Sequence, residues 1–151
     1  MALKDIEKAF EEQVKAITEE TDSFYKGVSN PDDAKKVALL CLKAKYNGNL
    51  LVNQAEYRAK CIKRDIEFVK TDTYSKIRKD STTKMTEATV NNEVMMAKEV
   101  RETISSHLKH EKDAKNYHGL MDWIQETHLT FRQFSKQEDM ARERIEQSKK
   151  L

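Results

Sequence analysis

Three glycines and one proline are spread over 151 residues, and this scarcity limits the architecture more than any motif does. Average usage is about 7% Gly and about 5% Pro. Tight turns draw on the left-handed freedom of Gly or the fixed φ of Pro. Few can be built here, so the elements between them must be long. Charged residues make up 36% of the chain and apolar residues 38%. At helical periodicity that mixture predicts an all-α protein of long, exposed, coiled-coil-like helices. A narrow seam buries little surface, so a homo-oligomer is expected to complete the burial.

Apolar spacing places the elements. Leu3, Ile6, Phe10, Val14 and Ile17 fall at steps of three and four, on one helical face. Asp5, Glu7, Glu11, Glu12, Glu19 and Glu20 lie largely off that face, so residues 1–30 read as an acidic amphipathic helix. It can pack back on the rest or act as an oligomerisation arm. Ser29 to Asp33 interrupts the pattern, with Pro31 suited to a helix start. A second helix is expected from about Pro31 to about Lys79, with a seam of Val37, Cys41, Ala44, Leu51, Ala55, Ile62, Ile66, Val69 and Ile77. Asn47-Gly48 falls inside it. The seam keeps phase across the pair, so the helix is expected to continue, with Gly48 a weak spot costing about 1 kcal/mol relative to Ala.

Asp80 to Lys84 is the expected turn, and Thr86 the N-cap of a third helix with Glu87 in its first turn. The third seam reads Val90, Val94, Ala97, Ile104, Leu108, Tyr117, Met121, Ile124 and Phe131. Ser105-Ser106 and Asn116 to Gly119 are its weak points. Tyr117, Trp123, Phe131 and Phe134 read as packing residues. Leu120 and Trp123 share a face partly separate from the seam, which suggests contact with another subunit. Two long helices joined by a short turn should lie antiparallel. The expected organisation is a helical hairpin over 31–134, preceded by the acidic helix and followed by a polar tail, 135–151, that is helical or frayed.

Charge is unevenly distributed. Residues 1–33 hold four Lys/Arg and nine Asp/Glu, residues 34–80 hold twelve and five, and residues 81–151 hold twelve of each. A nearly neutral chain therefore carries a basic middle helix. Lys43, Lys45, Arg58, Lys60, Lys63, Arg64, Lys70, Lys76, Arg78 and Lys79 decorate it, with Tyr46, Tyr57, Phe68 and Tyr74 interleaved. Cations along a line suit phosphates, and aromatic faces suit the bases of single strands. Tyr57, Lys60 and Arg64 share a face, bordered by Arg58 and Lys63. The competing reading is a solvated face balanced by acids of the third helix or of a neighbouring chain.

Catalytic signatures are missing. His107, His110 and Glu111 have spacings that could hold a metal, but no HExxH and no paired ExxH accompanies them. Cys41 and Cys61 lie twenty residues apart on one helix, too far for a disulfide within it, and read as small core thiols. No Gly-rich phosphate loop can be made. No enzyme activity, metal or cofactor is therefore expected. The acidic start lacks the apolar core of a secretory signal, and no stretch approaches the ~18 apolar residues of a membrane span. A soluble cytoplasmic protein without membrane contact is expected.

The basic helix with Tyr57-Arg58-Ala59-Lys60, the helix opening Lys84-Met85-Thr86-Glu87-Ala88-Thr89-Val90, and Asn116-Tyr117-His118-Gly119-Leu120 leading to Phe131-Arg132-Gln133 carry a resemblance. Over about residues 35–135 the chain resembles the UvsY-type recombination mediators of tailed phages. The resemblance implies a ring-forming homo-oligomer in the host cytoplasm that binds single-stranded DNA. It also implies partners: a RecA-like recombinase, loaded onto strands coated with single-strand-binding protein. The acidic first helix has no counterpart in it. A structural or interaction coiled coil, such as an assembly chaperone or a protein inhibitor, is the alternative from another class.

Overall fold

Apolar periodicity becomes helix in the computed structural model, which describes residues 2–27, 32–81 and 84–150. Four helices follow in order: α1 (Leu3–Tyr25), α2 (Asp33–Asp80), α3 (Glu87–Met96) and α4 (Lys98–Lys150), with no strand among the described residues. The chain divides into two compact units. Unit 1 is Met1–Leu51 with Tyr117–Leu151, and unit 2 is Val52–Asn116.

Unit 1 packs α1 against the first part of α2 and the last part of α4. Its core holds Phe10, Ile17, Ala34, Val37, Cys41, Ala44, Leu51, Ile124 and Phe131. The side-chain pairs set the directions. Asn47 Nδ2 donates to Gln13 Oε1 at 3.1 Å and Lys36 Nζ to Glu20 Oε1 at 2.9 Å, so α1 runs opposite to α2 there. Ring contacts join Phe10 to Tyr117 and Phe24 to Phe131 and Phe134, so α1 runs along α4. Trp123 and Leu120 pack against this same core and do not form the separate face expected for another subunit.

Gly48 is buried and its surroundings reverse the sequence expectation. A Cβ at this position would overlap Met121 Sδ and lie 2.9 Å from Phe10 Cε2. The residue is therefore a close-approach point for α1 and α4 and not merely a tolerated weak spot. The helix does continue through it, as expected. α1 ends at Gly27, whose φ of +71° is the left-handed conformation that favours glycine. The expected α2 start at Pro31 lies outside the described residues, as do Thr82 and Thr83 of the expected turn.

In unit 2, Val90, Val94 and Val100 form a small core, with Val69, Tyr74, Ile77, Met85, Ala97 and Ile104 packed on it. Thr86 caps α3 as expected, its hydroxyl accepting from the Thr89 N–H at 3.2 Å. Arg78 clasps the end of the turn. Its Nη1 donates to the Met85 carbonyl at 3.0 Å and its Nη2 pairs with Glu87 Oε1, which also accepts from the Tyr74 hydroxyl at 2.7 Å.

Two expectations about the third helix need correction. The break falls at Ala97, whose extended ψ of 135° separates α3 from α4, and not at Ser105-Ser106 or residues 116–119, which are helical. Ala is the strongest helix former, so propensity carries no signal for that site. Leu108 is exposed, while Val100 and Ala114 are buried in its place. The tail, expected to be helical or frayed, is helical to Lys150: Ser135 is buried, and Lys35–Asp139 and Asp32–Arg142 ion pairs, both 3.0 Å, tie it to α2 and to the residue before it.

The two helical glycines give a paired prediction. Gly48→Ala should destabilise by about 1–3 kcal/mol through overpacking. Gly119→Ala, where a Cβ meets nothing within 4 Å, should stabilise by roughly 0.5–1 kcal/mol. Chemical denaturation of both variants checks this; shifts of the same sign would contradict the packing at Gly48.

Candidate nucleic-acid interface

The α2 turns within unit 2 bury one side and expose the other. Val69 and Ile77 pack on the small core, and Ile62 and Ile66 are half-buried beside them in sequence phase. Tyr57, Lys60, Arg64 and Phe68 follow at steps of three, four and four, so they share the opposite face. Tyr57 is 65% exposed and Phe68 74%. Rings this exposed offer surface for stacking. The two rings lie about 16 Å apart along the helix, at 1.5 Å per residue. Lys60 and Arg64 sit between them, and Arg58 and Lys63 border the face, all four exposed. None of these four cations forms an ion pair among the described residues. Helical backbone groups are already bonded to one another, so recognition here falls to side chains.

The other basic residues of α2 are placed differently. Lys70 is half-buried and lines a shallow pocket with Tyr74, Val94 and Met95. Lys76 pairs with Asp72 at 3.1 Å, one turn earlier on its own helix. Arg78 is committed to Tyr74, Met85 and Glu87, and its guanidinium lies 5.4 Å from the Tyr74 ring centroid. Those contacts hold Arg78 charged and pull the Glu87 carboxyl below its ordinary range, with the Tyr74 hydrogen bond the largest cause for both.

Lys43 and Lys45 belong to unit 1. Lys43 is exposed. Lys45 Nζ donates to His128 Nδ1 at 2.9 Å, half-buried against α4, so it faces inward from the solvent side of α2. An ammonium can only donate, so His128 accepts through Nδ1 and its ring proton sits on Nε2. Burial, then the Lys45 and Arg132 charges, push the His128 pKa below its ordinary 6.5.

The remaining chemical candidates are dispersed. His107 Nε2 lies 3.6 Å from Glu111 Oε1 on one helix turn. No group of three or more His, Cys, Asp or Glu among the described residues could hold a metal. Cys41 is buried, and desolvation pushes its thiol up to about 11, so it stays a protonated, weakly reactive core residue. No helix among the described residues is long and apolar enough to cross a membrane. The one residue that the sequence-selected site lacks is Phe68. Its signal is legible as spacing: four residues after Arg64 and eleven after Tyr57.

His128 supplies a pH prediction. Above about pH 7.5 the ring is largely neutral in both the folded and the unfolded chain, and its stability contribution is complete. Below that, the unfolded ring takes up a proton before the folded one, because the fold lowers its pKa. Stability should therefore fall as pH drops from about 7.5 to about 5.5. His128→Gln should lose less stability over the same range. Thermal melts at the two pH values check this; equal losses in both proteins would contradict it.

No protein-family model matches the chain, and neither a curated protein nor a solved structure matches it.

Proposed function

We propose that the chain is a non-catalytic protein that binds single-stranded nucleic acid through the exposed face of α2 in unit 2. The observation that carries this reading is the alternation Tyr57, Lys60, Arg64, Phe68 on one face, with two exposed aromatic rings and cations that form no ion pair among the described residues, although Glu56, Asp65 and Glu67 lie in the same turns. Phosphates need the cations; bases stack on the rings. A face that served only for solubility would gain nothing from an open ring at either end of its charges.

The resemblance to UvsY-type mediators extends the proposal. On that reading the chain is a recombination mediator that helps load a RecA-like recombinase onto strands coated with single-strand-binding protein. The homo-oligomeric ring, the antiparallel hairpin arrangement and a phage origin belong to the same proposal. A second reading, an interaction protein without nucleic-acid binding, draws support from a different surface, the exposed Leu39, Leu42, Tyr46 and Leu50 of unit 1.

Salt titration separates the two readings. The logarithm of the binding constant for a single-stranded oligonucleotide should fall with the logarithm of salt by about 0.7 per phosphate contacted. Lys60→Ala with Arg64→Ala should flatten that slope by about 1.4 and weaken all sequences alike. Tyr57→Ala should weaken binding by about 1–3 kcal/mol and leave the slope nearly unchanged, because stacking releases no counterions. Helicity of the variants, read by circular dichroism, must match the parent. Equal affinity and slope in the double variant would leave the face as solvated surface only.

A further inference from the structure

The first part of α2 is apolar on two sides. One side forms the unit 1 core through Val37, Cys41 and Ala44. On the other, Leu39, Leu42, Tyr46 and Leu50 recur at steps of three, four and four, and they are 52%, 51%, 70% and 39% exposed. A helix that is hydrophobic all round is ordinarily buried all round. Contiguous exposed apolar side chains of this size mark an interaction surface.

The stripe adjoins a groove between α2 and α4. Ala38, Leu39 and Leu42 form one wall, and His128, Arg132 and Ser135 the other. Lys36 and Asn47 bond to α1, and Ala38 and Leu42 lie roughly half a turn around α2 from them. α1 therefore covers one side of the α2–α4 pair and leaves the groove side open. A helix laid there would complete a four-helix arrangement in this unit.

Charge selects the occupant. Between Asp33 and Glu56, α2 carries no acid; Lys35 and Lys36 are paired with Asp139 and Glu20 and Lys45 leans on His128, which leaves Lys43 exposed beside the stripe. On the α4 wall, Arg132 makes no ion pair among the described residues. A second copy presenting the same face would bring a second Lys43 and Arg132 to it and no unpaired carboxylate, which costs affinity. A partner with carboxylates flanking its apolar positions gains instead. We propose that the α2–α4 groove of unit 1, with the Leu39–Leu42–Tyr46–Leu50 stripe, docks an acidic amphipathic helix of a partner protein. The partner's apolar residues at helical spacing cover Leu39, Leu42 and Tyr46, and its carboxylates meet Lys43 and Arg132.

The test uses the full chain and a labelled peptide of about 21 residues, in heptads with Leu and Ile at the core positions and Glu beside them. Its counterpart has Lys in place of every Glu. Fluorescence anisotropy should show binding of the acidic peptide and not of the basic one. Leu39→Ser with Leu42→Ser should weaken that binding at least about tenfold. Arg132→Glu, a single change at an exposed position, should weaken it independently. Lys60→Ala with Arg64→Ala should leave it unchanged, which separates docking from attraction to the unit 2 face. The proposal is overturned if neither peptide binds or if both bind alike. It also fails if the loss follows Lys60 and Arg64. Sedimentation showing a dimer that Leu39→Ser with Leu42→Ser dissociates would assign the stripe to a second copy and overturn it as well.

Discussion

Unit 1 depends on a residue that has no side chain. At Gly48 the Met121 thioether of α4 fills the space a Cβ would take, and the Phe10 ring of α1 lies 2.9 Å from that position. A helical glycine gives up about 1 kcal/mol of propensity relative to alanine, and here that loss is offset by close packing of three helices. The contacts on either side follow from that approach. Phe10 meets Tyr117, and further along α1 Phe24 stacks on Phe134 and meets the edge of Phe131. The acidic first helix is thereby an integral wall of the core, with its carboxylates outside. One of them, Glu20, pairs with Lys36 of the basic helix.

The same helix divides its cations by task. Lys35, Lys36 and Arg78 join α2 to other helices through Asp139, Glu20 and Glu87, and Lys45 leans on a neutral imidazole. Such exposed pairs contribute little stability individually; their effect is to remove charge from the surface available to a polyanion. Arg58, Lys60, Lys63 and Arg64 have no such partners among the described residues. The net charge of the segment therefore overstates the usable stripe. What remains is a short face with an exposed ring at each end, whose four cations share their turns with Glu56, Asp65 and Glu67.

The all-α character was legible because Gly and Pro are scarce and the apolar steps are three and four. The Thr86 cap was legible because a hydroxyl before an acidic residue has a local mechanism. Other features depend on tertiary contacts that no local pattern encodes. Ala97 is the best helix former and yet carries the break. Gly48 looks costly until its neighbours are known. The polar tail has too few apolar residues to predict order, yet Asp139 and Arg142 find partners far away in sequence, Lys35 of α2 and Asp32 just before it. Among the candidate site residues, Tyr57, Lys60 and Arg64 were legible as one face from spacing. The inward placement of Lys45 was not, since it requires knowing that His128 lies across from it. Charge asymmetry pointed to α2 as a whole, and packing determined which of its turns remain open.

The central claim is that a single strand lies across the Tyr57–Phe68 face with bases on its rings. Ultraviolet crosslinking of the full chain to an oligothymidine, followed by peptide mass spectrometry, reads this directly. The account predicts nucleotide adducts on Tyr57 and Phe68, suppressed when Lys60 and Arg64 are both replaced by Ala. Adducts confined to other aromatic residues, such as Tyr25 or Tyr46, with none on Tyr57 or Phe68, would contradict it.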